Sequence, residues 1–531
     1  MIYFKKAISL LIILVLSVTF CSCSEEQDIF IYEVSQRPKN IDPLLASTPA
    51  ELTIIKNTFE GLTRINADGE PQLAAAKKYS ISDDMLTYTF TLRDDLVWNN
   101  GTPLTADDFV FAVQRAADPK TKACNSDAIK IIEGGDTALL GKTACTEIAF
   151  RASDKTTLVI KLSSVSDTFL ETLAQPSFMP CNREFFNSCK GKYGLSSKHI
   201  LSNGRYELTR WQAESSIRLT KSDTYKGKVT TKIPTAFITF KNDESNDSRG
   251  QSIGKTTDSD VDLTEIDYTD INQSKNNGLK ILTYYNKTYA LVFNKNDYIA
   301  ASPDLLYSFT ASVDRNILDN KPDYLLTANN LIPPDSRIGN DVINKLSNRP
   351  VYSGEYSKEK ARSAFLKGIG KLNKKTFPKT VVLCPDNADL HKILTNIISC
   401  WQNNLGAYLN IEKLSEEQLL QRVESENFTV ALVPLSSDDP TAISFLSRFT
   451  SGSSQNYLNL ENAAYDKLVD NLMYSNPNNA DSIIKAEKIL LDSKNIVPVV
   501  FYPTIYAASP DLKRISVSPF DSTVDFSFVE K

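Results

Sequence analysis

Between Val381 and Ile411 the chain passes from an apolar run into a helical pattern and back. Val381 to Leu383 reads as a strand, Leu390 to Leu405 as a helix, Gly406 as its C-terminal cap and Tyr408 to Ile411 as a second strand. Two strands joined through a helix of this length are parallel neighbours in one sheet, because an antiparallel pair would need only a hairpin. The unit therefore points to an α/β fold, and the rest of the chain offers material for more of the same. Strands are expected at Thr157 to Leu162, Ala236 to Phe240, Tyr289 to Asn294 and Ile496 to Tyr502. Helices are expected at Leu305 to Asp319, Ser357 to Lys367, Glu461 to Tyr474 and Asp481 to Asp492.

A second informative stretch is YTFTLRDDLVWNNGTPLTADDFVFAVQRAADP, Tyr88 to Pro119. Tyr88, Phe90 and Leu92 alternate with Thr89, Thr91 and Arg93, the period of a strand with one buried face. Asn99, Asn100 and Gly101 supply a tight turn, since Asn and Gly tolerate positive φ. Thr105 with Asp108 three residues on has capping-box spacing, and Phe109, Val110, Val113 and Ala116 continue it as an apolar helical stripe.

The bulk properties set the class. A length of 531 residues allows about three domains, and 41% hydrophobic with 23% charged residues is ordinary for a soluble globular protein. The formal net charge is -5 and no basic stripe is interleaved with aromatics, so nucleic acid is not an expected partner. Two histidines, His199 and His391, and the lack of a CxxC motif leave little for a metal site; no metal and no cofactor is expected.

The first residues point to export. Lys5 and Lys6 precede an apolar run from Ala7 to Phe20, too short for a comfortable membrane span and suited to a signal peptide over residues 1–22. Phe20-Cys21-Ser22-Cys23 resembles a bacterial lipobox, with Cys23 the acceptor because Ser22 is small where Phe20 is not. The alternative is an ordinary secretory signal with two incidental cysteines. Residues 23–28 would form a tether to the outer face of the cytoplasmic membrane. In an exported chain the remaining six cysteines permit disulfides, and local pairing would give Cys124–Cys145, Cys181–Cys189 and Cys384–Cys400, against buried free thiols.

The order of residues in Tyr88 to Pro119 closely resembles the signature of the family 5 solute-binding proteins of bacterial ABC importers, the oligopeptide and dipeptide binders. Other segments fall where that family has them: Asp42-Pro43 before a helix entered near Thr48-Pro49 and ended by Gly61, the Gly69-Glu70-Pro71 turn, Tyr206 and Tyr225, Asp314-Arg315, and Leu331-Ile332-Pro333-Pro334. Lys226 replaces the customary Trp. The resemblance implies a two-lobed, type II periplasmic-binding-protein-like fold with a third small inserted domain. Lobe I would comprise residues 29–62, 181–287 and 496–531, the insert 63–180, and lobe III 288–495.

What the resemblance implies about function is capture of a short peptide between the lobes by a lipid-anchored monomer. Delivery would be to ABC permease subunits served by a separate ATPase. The family's peptide backbone pairs with the segment corresponding to Ala46, Ser47 and Thr48; Thr48 could also simply cap the next helix. Across the cleft, VALVPLSSDDP, Val430 to Pro440, corresponds to a loop whose aspartate pairs with the ligand's α-ammonium group. Ser436 stands at that position here. Leu435, Ser436, Ser437, Asp438 and Asp439 are therefore candidate ligand residues, with Asp438 and Asp439 as substitute anchors or as helix caps. Trp401 is expected in the core. Nickel, haem, opine or sugar binders share the fold, and a peptide-signal sensor uncoupled from uptake is a rival role.

An enzyme is not expected. Gly250-Gln251-Ser252-Ile253-Gly254 fits the GxSxG pattern, but a polar run separates Ser252 from the preceding strand, whereas a nucleophile elbow follows its strand directly. Gly254-Lys255-Thr256 imitates a P-loop end, but Arg249 occupies the place of the leading Gly. Both read as a polar surface loop.

Overall fold

The structure is a computed structural model that describes residues 28–531 apart from 67–68, 125, 167, 214, 242–260, 340, 353, 373–376, 438, 454 and 519. Cys23, Ser252 with its GxSxG run, and Asp438 lie outside the described residues.

A single mixed sheet of 11 strands runs through the molecule. In spatial order its path is Leu409–Leu414, Thr380–Pro385, Val430–Leu435, Lys280–Phe293, Ile496–Ala508, Leu263–Glu265, Ile29–Val34, Thr235–Phe240, Ser216–Lys221 and Tyr206–Gln212. Leu326–Thr327 adds to Ile496–Ala508. The expected crossover is present: Thr380–Pro385 and Leu409–Leu414 pair in parallel, joined through the helix Ala388–Leu405. Gly406 closes that helix at φ 78°, in the left-handed region that favours glycine.

In the half of the sheet built on Tyr289 to Phe293, alternation places side chains on two covered faces. Tyr289, Leu291 and Phe293 pack with Phe309, Phe365, Leu394 and Trp401 on one face. Ala290 and Val292 pack with Phe445, Tyr465, Leu472 and Leu490 on the other. This part is thus a helix–sheet–helix sandwich. Trp401 is fully buried and donates its indole N–H to Phe309 O at 2.9 Å, a core role. The other half of the sheet shares one apolar core with the four-stranded sheet formed by Ala76–Ile81, Thr87–Leu92, Thr157–Lys161 and Phe150–Asp154.

Tyr88, Phe90 and Leu92 face that core, Gly101 turns at φ 82°, and the helix Ala106–Ala117 follows. Asp108 Oδ2 accepts the Thr105 N–H at 2.8 Å, so the cap is made by the acid reaching back.

Three expectations need correction. The helix read over Leu305 to Asp319 is two pieces, Pro303–Ala311 and a 3₁₀ turn Arg315–Asn320, because Asp314 turns out to cap the second, accepting from Asn316 N–H at 3.0 Å. The strands expected at Tyr289 to Asn294 and Ile496 to Tyr502 extend to 14 and 13 residues, as Lys280–Phe293 and Ile496–Ala508. The cysteine pairing is not made: Cys124, Cys145, Cys181, Cys189, Cys384 and Cys400 are all free thiols. Several are already engaged elsewhere. Cys181 Sγ meets Arg115 Nη1 at 3.4 Å, Cys124 Sγ donates to Leu45 O at 3.4 Å, and Cys384 is fully buried in the core while Cys400 is half-exposed.

Candidate ligand cleft

Strand directions mark where a ligand cleft is to be sought. Ile29–Val34 runs parallel to Thr235–Phe240 and to Leu263–Glu265, and the last of these is antiparallel to Ile496–Ala508. Thr380–Pro385 runs parallel to Leu409–Leu414 and Val430–Leu435, which is antiparallel to Lys280–Phe293, itself antiparallel to Ile496–Ala508. The two parallel sets therefore point at each other. Their C-terminal ends, Val34, Phe240 and Glu265 on one side and Pro385, Leu414 and Leu435 on the other, meet about the middle of the two long strands. Open α/β sheets bind ligands outside the carboxyl ends of their strands.

Among the described residues, the two long strands are the part of the sheet common to both sides. Their register slips where the sides meet, between Tyr285 and Lys287 opposite Pro503 and Tyr502. Asn286 is the bulged residue; its buried Oδ1 accepts from Thr504 Oγ1 at 3.0 Å. A bulge leaves one residue unpaired, interrupts the ladder locally and bends the strand. Beside it, Asp335 Oδ2 accepts the Tyr285 N–H at 2.5 Å, and burial raises the pKa of that carboxyl despite this bond and Arg337 nearby.

On the first side, the turn from Lys39 to Thr48 is organised by Glu51, a buried residue of the helix Pro49–Thr58. Oε1 accepts the N–H groups of Lys39 and Asn40 at 2.7 and 3.0 Å, and Oε2 those of Ser47 and Thr48 at 3.0 and 3.1 Å. Burial alone would raise the Glu51 pKa, but these four bonds outweigh it and hold the carboxyl below its ordinary value. Leu45 and Ala46 give their N–H groups to Asp42 O at 2.9 and 3.0 Å, and Asp42 is fixed by Arg115 Nη2 at 2.5 Å. Ser47 is exposed and Thr48 is half-buried, serving as the N-cap. Ser47 and Thr48 thus stand at the turn's outer end with their N–H groups already engaged.

On the opposite side, Leu435 ends its strand, buried, and pairs with Thr288 at the crossing. Ser436 O accepts from Arg448 Nη1. Ser437 Oγ donates to Asp439 O at 2.7 Å. Asp439 Oδ1 accepts from both the N–H and the Oγ1 of Thr441, at 2.7 and 2.6 Å, and Thr441 in turn caps the helix Ala442–Ser447. The cap is therefore Thr441, with Asp439 holding it. Arg337 donates its N–H to Pro440 O at 2.6 Å, and a Cβ on Gly69 would lie 3.3 Å from Arg337 Nη1, so this lip reaches the Gly69 turn across the cleft.

Sequence reasoning missed a group of tyrosines bridging the two sides. Tyr268, just past the strand Leu263–Glu265, stacks on Tyr324 with ring centroids 4.0 Å apart and planes at 13°. Tyr324 OH donates to Asp389 Oδ2 at 2.7 Å, and Asn387 Nδ2 donates to Tyr502 OH at 3.2 Å. Burial, then the Asp389 carboxylate and Tyr502, push the Tyr324 phenol far above its ordinary pKa, so it remains a donor. Arg448 was missed as well. Tyr268 and Tyr324 are 56 positions apart in unpatterned loops, IDYTD and PDYLL, and no local periodicity marks them. Among the described residues no group of three or more His, Cys, Asp or Glu side chains is placed to hold a metal ion.

Comparison with known proteins agrees with this architecture. The dipeptide-binding protein DppE of Bacillus subtilis is 27% identical over 515 residues, covering 93% of this chain and 90% of that protein. The oligopeptide-binding protein OppA of the same organism is 26% identical over 489 residues, covering 91% and 89%. Among solved structures, Listeria monocytogenes OppA bound to peptide matches with a TM-score of 0.73 at 26% identity, over 95% of this chain and all 100% of that one. The unliganded open form of the periplasmic murein tripeptide binding protein MppA matches in fold, with a TM-score of 0.71 at 24% identity over 95% and 97%. Residues 70–457 match the profile "Bacterial extracellular solute-binding proteins, family 5 Middle". The chain belongs to the family 5 bacterial extracellular solute-binding proteins, a family of binding proteins of ABC importers and not of enzymes.

Proposed function

We propose that this protein is a lipid-anchored receptor that closes two lobes over a short peptide and delivers it to the permease of an ABC importer. The observation that supports the reading is the facing of two sets of strand C-termini in one sheet whose halves, among the described residues, are joined through two long strands. Such a pair of strands can flex as a hinge while each half moves as a body. The relatives' names, dipeptide-binding and oligopeptide-binding, supply the ligand class. In this reading lobe I is 29–62, 181–287 and 496–531, lobe III is 288–495, and 63–180 is an insert on lobe I. Ser47, Thr48, Leu435, Ser436, Ser437, Asp438 and Asp439 border the bound peptide. Cys23 carries the lipid, and the protein acts as a monomer.

The ligand is tested by denaturing the freshly purified protein and identifying what is released by mass spectrometry. Short peptides are expected; recovery of nickel, haem, an opine or a sugar instead would overturn the peptide reading. Peptide uptake is expected to fall in a deletion strain, and intact uptake with an altered gene response would make the protein a sensor. Cys23→Ala is expected to move the protein from the membrane to the soluble fraction, and retention would refute the anchor.

A further inference from the structure

The two lips of the cleft differ in polarity. On the first, the N–H groups of Leu45, Ala46, Ser47 and Thr48 are all engaged within the turn, by Asp42 O and by the Glu51 carboxylate. That lip therefore presents no main-chain donor from these residues and, from Ser47 and Thr48, only uncharged hydroxyl groups. On the second, Arg448 lies half-buried immediately after the helix Ala442–Ser447 and donates Nη1 to Ser436 O. A guanidinium carries five N–H donors in a planar fork.

Arg448 differs from the guanidinium groups that the fold uses as staples. Arg115 is held by Asp42 at 2.5 Å and Arg349 by Glu487 at 2.9 Å, both buried. Among the described residues no carboxylate lies within ion-pair distance of Arg448. The nearby Asp439 directs Oδ1 at Thr441 instead. Ser436 directly follows Leu435, which pairs with Thr288 on a long strand, so the guanidinium is tied to the residue that leaves the C-terminal end of the strand Val430–Leu435.

We infer that Arg448 with the Ser436 main chain forms a subsite for a carboxylate, so that a peptide is seated with its C-terminal carboxylate at this lip and its free α-ammonium group is not what the lip selects. The inference rests on the peptide reading above. A carboxylate can take two parallel N–H bonds from one guanidinium, and such charge-assisted bonds are stronger than neutral ones. An α-ammonium group against the guanidinium itself would face a like charge, which disfavours it, and Asp439 on the same lip has its Oδ1 engaged by Thr441.

The test uses three random pentapeptide libraries: free at both ends, N-acetylated, and C-amidated. Each is mixed with protein stripped by unfolding and refolding, and the retained fraction is measured by native mass spectrometry. N-acetylation is expected to change retention less than about threefold, whereas C-amidation lowers apparent affinity roughly 10- to 100-fold, the scale of a lost charge-assisted bond. Arg448→Gln should lower retention of the free library to that of the amidated one and abolish discrimination between them. Arg448→Lys should restore part of it as a point charge. Thermal melting of each variant confirms folding. If acetylation abolishes retention and amidation does not, the lip reads an ammonium group and the inference is wrong. Undiminished discrimination in a folded Arg448→Gln variant would also overturn it. If no library is retained, the peptide reading itself fails and takes this subsite with it.

Discussion

Replacing Glu51 by Gln removes one carboxylate oxygen and puts an NH₂ in its place. In the native protein both oxygens accept two main-chain N–H groups, Lys39 and Asn40 on one, Ser47 and Thr48 on the other. Gln can serve one pair and must turn a donor toward the second. Hydrogen bonds to a charged group contribute about 1.5–3 kcal/mol each. Two lost bonds and one donor–donor clash, relieved in part by movement of the turn, should cost about 3–4 kcal/mol, since the site is only 3% exposed and water cannot readily replace them. Urea denaturation at neutral pH, followed by far-UV circular dichroism, measures this directly. The pH dependence supplies a second reading. The folded pKa of Glu51 lies below its ordinary 4.5, so the folded state binds this proton less readily than the unfolded chain. Its stabilisation is complete above the unfolded value and drains away as pH falls through the folded one. The gap between wild type and Glu51→Gln should hold steady above about pH 5 and narrow on acidification below that. A gap under about 1 kcal/mol at pH 7, or one that widens as acid is added, would refute the claim that this carboxylate organises the turn.

Alkylation of the native protein without reductant, followed by peptide mapping, should find all six cysteines from Cys124 to Cys400 as thiols. The exposed Cys124 should react first, while Cys181, Cys189 and Cys384 react only on unfolding, burial having pushed Cys181 up to about 11 and Cys384 up to about 12. Glu487→Ala should cost about 3–5 kcal/mol by urea titration, because it leaves Arg349 buried without its partner. Adding Arg349→Met should recover only part of that loss, as the Leu331 and Ile332 N–H groups bonded to Glu487 Oε1 at 2.9 and 2.8 Å stay unsatisfied. Arg115→Met should weaken retention of peptides through displacement of the Asp42 turn; unchanged retention in a folded variant would show that this turn is remote from the ligand.

The elements that were legible in the sequence are those whose signal is local. The Tyr88 to Leu92 alternation, the Ala106–Ala117 helix with its Asp108 cap, and the crossover closed by Gly406 each depend on residues within a few positions of one another. The long strands were seen only where they are buried. Tyr289 to Phe293 is an apolar run inside the sandwich, whereas Lys280 to Lys287, KILTYYNK, is half-exposed on both faces and carries neither alternation nor continuous hydrophobicity. The polar half is nevertheless a strand because Ile496–Ala508 pairs with it along its length, a contact more than 200 positions away in sequence. Separation in sequence, 56 positions between Tyr268 and Tyr324, also hid the tyrosine bridge. The cysteines misled for a related reason: proximity in sequence suggested pairs, but Cys384 points into the sandwich core while Cys400 lies on the half-exposed side of its helix.

The most recognisable stretch of the chain and the candidate cleft are nonetheless mechanically joined. Arg115, near the end of the helix Ala106–Ala117, reaches Asp42 at 2.5 Å and lies over the Phe186 ring at 4.0 Å from its centroid. Asp42 in turn fixes Leu45 and Ala46 through its carbonyl, and Cys124, just beyond the same helix, donates its N–H to Leu44 O at 2.8 Å. The turn that carries Ser47 is therefore clamped from two sides, by Glu51 within its own helix and by the helix–loop segment of the neighbouring small sheet. A buried ion pair is weak evidence of stability, since desolvation offsets most of its attraction. Its better use is to fix geometry, and here it sets the position of one cleft lip relative to a separate packing unit. The other lip is held differently: Ser437, Asp439 and Thr441 bond to one another, Arg337 gives its N–H to Pro440 O at 2.6 Å, and Arg448 follows the helix that Thr441 caps. A lip whose Leu45 to Thr48 N–H groups are already engaged thus faces one whose Ser436 carbonyl is tied to a guanidinium group, and the proposed carboxylate subsite rests on that asymmetry.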